Sequence, residues 1–260
     1  MLYRNLKDVP LIVDKHRIRA AEQAIREYGV DTVILDDGFQ QWKIMKDLEI
    51  VTIDATDPFG NQNLLPRGIL RQPLSTLSRA DVLVLTKTNL NPDIQDIKSF
   101  LIQINPAALI VEAIHRPLGF YRIEDSPQSL SGLDILKVKR VTLVCGIADP
   151  DSFENLILSL GINIGLCFRF PDHHQYSRRD LERVIAGSKD KGIETVITTE
   201  KDAVRLINIL PFILRQAQDT SPKDTEQSRS AVYRLPFYVL RIKIEIIQNE
   251  AFTERIHSLY

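Results

Sequence analysis

Along this chain short apolar runs alternate with longer amphipathic segments, and that alternation is the feature that most limits its fold. The runs Val9–Val13, Thr32–Asp36, Glu49–Asp54, Val82–Thr86 and Leu109–Ala113 read as strands, and a second set follows at Val141–Gly146, Ile164–Phe170 and Thr195–Thr199. Between them Lys15–Tyr28, Pro92–Ile104, Ser152–Leu160, Arg178–Lys191 and Ala203–Ile209 carry helical periodicity. Strands that alternate with helices demand a parallel sheet covered on both faces. The expected class is α/β, in two lobes with mainly parallel sheets. A turn-rich stretch, SPQSLSG, within Asp125–Lys139 separates the two series, so residues 1–125 and 126–260 are the expected lobes.

Several boundaries carry a mechanism. Asp149-Pro150 ahead of Ser152 supplies a helix cap followed by proline at the first helical position. Ser177 with Asp180 forms a capping signature, and Thr199 with Asp202 repeats it. The segment 215–230 (RQAQDTSPKDTEQSRS) has almost no large apolar residues and reads as a disordered polar insertion. Beyond it, Tyr233–Ile247 is β-rich and a short helix is expected over Glu250–Ser258.

Composition excludes some functions. A net charge of −1 gives no overall field to recruit nucleic acid. Neither of the two cysteines, Cys145 and Cys167, lies outside an apolar run, which suits reduced core thiols. No run approaches the ~18 apolar residues of a membrane span.

Chemistry concentrates in four places. The first is Asp36-Asp37-Gly38-Phe39-Gln40, where an apolar run ends in two carboxylates. Paired acids at the carboxyl edge of a parallel sheet fall where ligands bind in such folds. An acid so placed holds the Mg²⁺ of a nucleoside triphosphate in phosphate-loop enzymes; the alternative is a helix cap beside a turn acid. The matching phosphate loop, G-x-x-x-x-G-K-S/T, does not occur in the 260 residues. The second is the aperiodic loop Asp54–Pro73, with Asn61, Arg67 and Arg71, followed by Arg79; guanidinium forks suit phosphate oxygens. The third is Asp172-His173-His174, open to a reading as metal ligands, as a pair of general bases, or as a capping or loop-packing element. Adjacent residues of a strand point to opposite sides, so both imidazoles reach one metal only if the backbone turns there. The fourth is Thr199-Glu200-Lys201-Asp202, where capping accounts for the pattern.

Taken in order, DDGFQ (36–40), DLEIVTIDA (47–55), FGN (59–61), LLPRGILRQPLSTLSRAD (64–81), GIADPDSF (146–153), FPDHHQYS (170–177) and TEKDAVRL (199–206) resemble the tetraacyldisaccharide 4'-kinase (lipid A 4'-kinase) family of Gram-negative bacteria. The resemblance implies two Rossmann-like, P-loop-type α/β lobes, with Leu109–Ile123 and Tyr233–Ile247 as hinge strands. It places the phosphate loop, the family's catalytic aspartate and a membrane-associating helix ahead of Met1, so the N-terminal lobe is expected to be truncated. It implies ATP-dependent phosphorylation of the 4'-hydroxyl of a tetraacylated disaccharide 1-phosphate. Asp36 and Asp37 then hold Mg²⁺, Asp37 and His173 are catalytic, and Arg17, Gln40, Asn61 and Arg71 bind substrate. At the position after DDGFQ the family usually has histidine, and here Gln41 stands. The implied partners are a lipid A disaccharide precursor, the inner-membrane surface on its cytoplasmic side, and a separate polypeptide carrying the phosphate loop; no nucleic acid is implied. Without that loop the 260 residues alone are expected to be inactive. A non-catalytic nucleotide- or glycolipid-binding module and a metal-dependent phosphoesterase are the competing readings.

Overall fold

The computed structural model describes residues 5–6, 8–91, 93–210, 235–247 and 250–259. Its strands are β1 (Ile50–Asp54), β2 (Val82–Thr86), β3 (Leu109–Arg122), β4 (Arg140–Cys145), β5 (Asn163–Arg169), β6 (Val196–Thr199) and β7 (Phe237–Ile247). The helices discussed below are α1 (Arg17–Tyr28), α2 (Ile94–Ile104), α3 (Pro150–Ser159), α4 (Arg178–Asp190), α5 (Glu200–Leu206) and α6 (Glu250–His257). The strands follow the hydrogen-bonded order β1-β2-β3-β7-β6-β4-β5. The pairs β1–β2, β2–β3, β4–β5, β4–β6 and β6–β7 are all parallel, as an α/β alternation requires.

The chain forms two compact units. One comprises the described residues within Met1–Lys7 and Pro117–Ile242, the other those within Asp8–Arg116 and Lys243–Tyr260. The chain passes from one to the other inside β3 and again inside β7, the two longest strands among the described residues. In the unit around β1 and β2, Ile53, Leu83, Leu85 and Leu101 of α2 form the core. In the unit around β4 and β6, one cluster packs Val144, Val196 and Val239 against Leu181 and Val184 of α4, and another packs Leu143 and Ile197 against Phe153 and Ile157 of α3.

Two expected strands do not form. Val9–Val13 and Thr32–Asp36 have no strand conformation, and Val13 and Ile34 are 89% and 90% exposed. An extended run becomes a strand only when a neighbour accepts its ladder of hydrogen bonds, and among the described residues none pairs with either segment. Asp36 and Asp37 therefore occupy a turn and not the end of a buried strand. The insertion expected at 215–230 lies outside the described residues. Among the described residues no helix is long and apolar enough to cross a membrane.

The caps form as their sequences require. Asp149 accepts from the Ser152 amide at 3.0 Å, with Pro150 opening α3. Ser177 and Asp180 complete a reciprocal capping box at the start of α4. Thr199 Oγ1 accepts from the Asp202 amide at 3.1 Å.

At the carboxyl ends of β1 and β2 the Lys87 ammonium meets Asp54 at 2.5 Å. Burial raises the Asp54 carboxyl, but Lys87 together with the Thr56 hydroxyl and amide outweighs it and leaves the group below its ordinary value. Asp180 behaves likewise: burial raises it, and the Ser177 amide and hydroxyl and His174 carry it below the usual range. A carboxyl depressed in the folded state contributes stability that is fully present above its unfolded value, about 3.9, and is lost as pH falls through the lower folded value. Thermal melts taken from about pH 6 down to about pH 2 should therefore show a steep acid limb. Lys87→Met should cost about 1–3 kcal/mol near neutrality and flatten that limb, read by urea unfolding at each pH.

Candidate functional site

In the unit around β1 and β2 the site begins at the turn that carries the two acids. Asp37 has a left-handed backbone, φ 52°. Gly38 lies so close to the preceding backbone that a Cβ there would stand 2.7 Å from Leu35 Cβ, so this step of the turn accepts glycine alone without a shift. The turn closes through the Gln41 amide donating to the Gly38 carbonyl at 3.0 Å. Lys46 then ties it from inside, donating to the Gly38 carbonyl at 3.2 Å and the Gln41 carbonyl at 3.1 Å while pairing with Glu49 at 2.9 Å.

A second clamp comes from far along the chain. Arg79 ends the 3₁₀ segment Leu74–Arg79 and lays its guanidinium over two rings, 4.4 Å from the Phe39 centroid and 3.8 Å from the Trp42 centroid. It also donates to the Phe39 carbonyl at 2.9 Å. The DDGFQQW turn is thereby fixed to the end of the long loop. The same loop returns Arg71 to Asp37, Nη1 to Oδ2 at 2.8 Å, across 34 residues of sequence.

The remaining sequence-predicted residues of this unit are placed as follows. Asn61 organises the loop itself: it donates to the Arg67 carbonyl at 2.8 Å and accepts from the Asn63 amide at 3.1 Å. Arg17, at the start of α1, donates to the Asp14 carbonyl at 2.9 Å. Gln40 is half-buried in the turn, and Asp36 is exposed beside Asp37. The structure thus brings Asp37 and Arg71 together. Lys46 went unread in the sequence, and Arg79 was visible only as one more arginine. No spacing rule joins residue 79 to residues 39 and 42, since the pairing exists only in the folded chain.

Among the described residues no three His, Cys, Asp or Glu side chains gather as they would around a metal ion. Two adjacent carboxylates are still an apt oxygen set for Mg²⁺, which takes one or two protein carboxylates and completes its octahedron with phosphate oxygens and water. Asp36 and Asp37 fit that description, with Arg71 beside Asp37 as a counter-charge that a phosphate oxygen can exchange with.

In the unit around β4, β5 and β6 the loops at the carboxyl ends of these three parallel strands carry the second set. His173 and His174 part company at a left-handed residue, His173 with φ 60°. A non-glycine residue held there costs about 1–3 kcal/mol, which the surrounding structure must offset. His174 turns inward: it stacks on Phe170 at 4.6 Å, meets Tyr176 edge-on at 5.0 Å and reaches Asp180 at 3.1 Å. His173 stays outside, its side chain 78% exposed, with Asp172 Oδ2 3.7 Å from Nε2 and Arg205 Nη2 3.1 Å from Nδ1. The metal-pair reading of the two histidines does not survive this divergence.

Beneath them Asp202 is fully buried. It accepts from the Gly146 amide at 3.0 Å and from the Thr199 hydroxyl at 2.7 Å, and pairs with Arg205 at 3.5 Å. Burial, reinforced by the Asp202 carboxylate, pushes the Tyr176 phenol far above its ordinary value. Asp202 read in sequence as a cap residue alone; its reach to Gly146 on the neighbouring strand end is tertiary. Cys145 is buried, and Cys167 donates its thiol to Glu154 at 3.0 Å.

Comparison with known proteins adds the following. A family model described as tetraacyldisaccharide-1-P 4'-kinase matches residues 1–260. The tetraacyldisaccharide 4'-kinase of Halothermothrix orenii is 40% identical over 214 residues, covering 79% of this chain and 56% of its own length. That of Anaeromyxobacter dehalogenans strain 2CP-C is 34% identical over 207 residues, covering 79% and 54%. This chain spans about half the length of the curated relatives it matches. Among solved structures, the "apo" form of LpxK from Aquifex aeolicus in complex with ATP shares the fold with a TM-score of 0.62 at 23% identity, covering 94% of this chain and 62% of that one.

Two outcomes test the geometry. Arg79→Met should free the ring of Trp42, the chain's one tryptophan, lowering its fluorescence anisotropy and shifting its emission. Gly146→Ala would place a Cβ 3.0 Å from Tyr176 Oη and 3.2 Å from both Asp202 Oδ1 and the Pro171 carbonyl. It should destabilise the chain by about 1–3 kcal/mol in urea unfolding.

Proposed function

The chain belongs to the tetraacyldisaccharide 4'-kinase family, and from that premise we propose that it supplies the metal-holding and acceptor-handling part of a phosphotransferase acting on tetraacyldisaccharide 1-phosphate. In the proposed reaction the 4'-hydroxyl oxygen attacks the γ-phosphorus of ATP. The bond from that phosphorus to the bridging oxygen breaks, ADP leaves, and the hydroxyl proton passes to a base. Such transfers depend on positioning and on neutralising charge at the phosphoryl oxygens.

The observation that carries the reading is the convergence of Asp37 and Arg71, at 2.8 Å, in two segments that each match the family's pattern. In this reading Asp36 and Asp37 hold Mg²⁺, which when bound would neutralise charge on the transferring phosphate. Arg71 exchanges Asp37 for a phosphate oxygen as substrate arrives. Gln40, Asn61 and Arg17 shape the substrate-binding surface, Asn61 by holding its loop and Gln40 from within the turn. His173 assists the proton transfer. Gln41 stands where the family usually has histidine, so no proton role is assigned to it.

The lipid substrate places the proposed working location at the cytoplasmic face of the bacterial inner membrane, as a peripheral protein. Because the 260 residues contain no G-x-x-x-x-G-K-S/T loop, we propose that they need a phosphate loop from another polypeptide segment to grip ATP.

The test is transfer of labelled phosphate from ATP to tetraacyldisaccharide 1-phosphate. The purified 260 residues alone should give none. Addition of a polypeptide carrying the phosphate-loop portion of the Halothermothrix orenii relative should restore transfer, and Asp37→Asn should reduce the restored rate about 10²-fold or more. Turnover by the 260 residues alone would overturn the requirement for a further segment. Saturable lipid binding with no transfer in the mixture would favour a binding module instead.

A further inference from the structure

The structure surrounds His173 with more than an exposed imidazole needs. Its backbone is held left-handed, and its ring is exposed to solvent while that of His174 stacks on Phe170. Asp172, the preceding residue, accepts from the His173 amide at 2.9 Å and keeps a carboxylate oxygen 3.7 Å from Nε2. On the opposite side of the ring Arg205 Nη2 lies 3.1 Å from Nδ1. Arg205 itself is anchored by Asp202 at 3.5 Å, and Asp202 is buried and fixed by the Gly146 amide and the Thr199 hydroxyl. A chain of polar contacts therefore runs from the carboxyl ends of β4 and β6, through α5, to one nitrogen of one exposed histidine.

The donor chemistry of that chain is one-directional. A guanidinium carries N–H donors only and never accepts. At 3.1 Å from Arg205, Nδ1 must therefore be the acceptor, and the proton of the neutral ring resides on Nε2. The nearby Asp172 carboxylate favours the same arrangement, since it sits on the Nε2 side, where a positive N–H is stabilised. Arg205 and Asp172 thus bias the ring in the same sense from opposite ends.

We propose that Arg205 is a positioning residue that holds His173 as an Nε2–H hydrogen-bond donor, with Asp202 fixing Arg205. With Nδ1 occupied and Nε2 protonated, neutral His173 has no free lone pair facing outward. It can donate to a carboxylate or to a phosphoryl oxygen, and it cannot act as the base that removes the hydroxyl proton. This deepens the kinase reading and rests on it for the role of His173 in transfer; the tautomer itself is independent of turnover.

The experiment is nitrogen-15 NMR of the full 260-residue chain labelled at histidine, with the His173 ring assigned by the signals lost in His173→Gln. Two-bond nitrogen–proton correlations at neutral pH should show one tautomer, with Nδ1 proton-free and Nε2 protonated. In Arg205→Met the Nδ1–H tautomer should appear alongside it, and in Arg205→Lys, which keeps a donor, it should recede again. A wild-type ring protonated at Nδ1 would overturn the proposal. So would an unchanged single Nε2–H tautomer in Arg205→Met. If Arg205→Met fails to fold, the wild-type spectrum and Arg205→Lys still decide, because a His173 ring that mixes both tautomers in the folded wild type also overturns it. Absence of phosphoryl transfer in the mixed assay would overturn the kinase reading and leave this assignment standing.

Discussion

A carboxylate with no exposure to solvent must be matched by donors, and Asp202 is the point on which one edge of the sheet depends. Leaving it without partners would cost several kcal/mol. The fold answers at Oδ2 with the Gly146 amide from the end of β4 and the Thr199 hydroxyl from the end of β6, while Oδ1 faces the Arg205 guanidinium at 3.5 Å as an ion pair without a hydrogen bond. Thr199 and Arg205 lie three residues either side of Asp202, at the cap and within α5, so the Gly146 contact is the one that ties this helix start to the end of β4. A side chain at Gly146 would crowd Tyr176, Asp202 and Pro171 and oblige them to shift. The exposed imidazole of His173 inherits its orientation from this buried charge.

The turn bearing Asp36 and Asp37 is organised differently. It belongs to no strand, and its apolar anchor is Phe39, packed against the core around β1 and β2, while Ile34 and Met45 on either side are almost fully exposed. Its shape comes from two cations. Lys46 gathers the carbonyls of Gly38 and Gln41, and Arg79 spans the rings of Phe39 and Trp42. Cation–π and charge-assisted contacts of this kind are directional and keep a loop in register where a hydrophobic core cannot. The Asp37–Arg71 pair, exposed on both sides, adds little stability in itself. In the proposed function this pair is the one a phosphate oxygen would replace, a role that suits a contact so little needed for folding.

Much of the scaffold was legible in the sequence. Val82–Thr86 forms a strand with the expected bounds and is buried throughout. The caps at Asp149, Ser177 and Thr199 also stand where side-chain chemistry put them. Those features are local: a cap needs an acceptor three residues away, and a buried parallel strand needs an unbroken apolar run. Val9–Val13 and Thr32–Asp36 are also largely apolar and yet form no strand. A strand is a property of a pair, and no partner for either lies among the described residues. The run Thr32-Val33-Ile34, β-branched throughout, carried a true local signal without the neighbour that would convert it into sheet.

The sequence by itself determined the α/β class, the capped helix starts and, through motifs in fixed order, the kinase family. Each depends on residues close together along the chain or on the order of such groups. Only the tertiary structure decided that Arg71 meets Asp37, that Arg79 clamps Phe39 and Trp42, and that Arg205 faces Nδ1 of His173. Those pairings join residues about thirty to forty positions apart, where no periodicity or spacing rule operates. They exist because, within each unit, folding brings into contact turns, loops and helix positions that lie far apart along the chain.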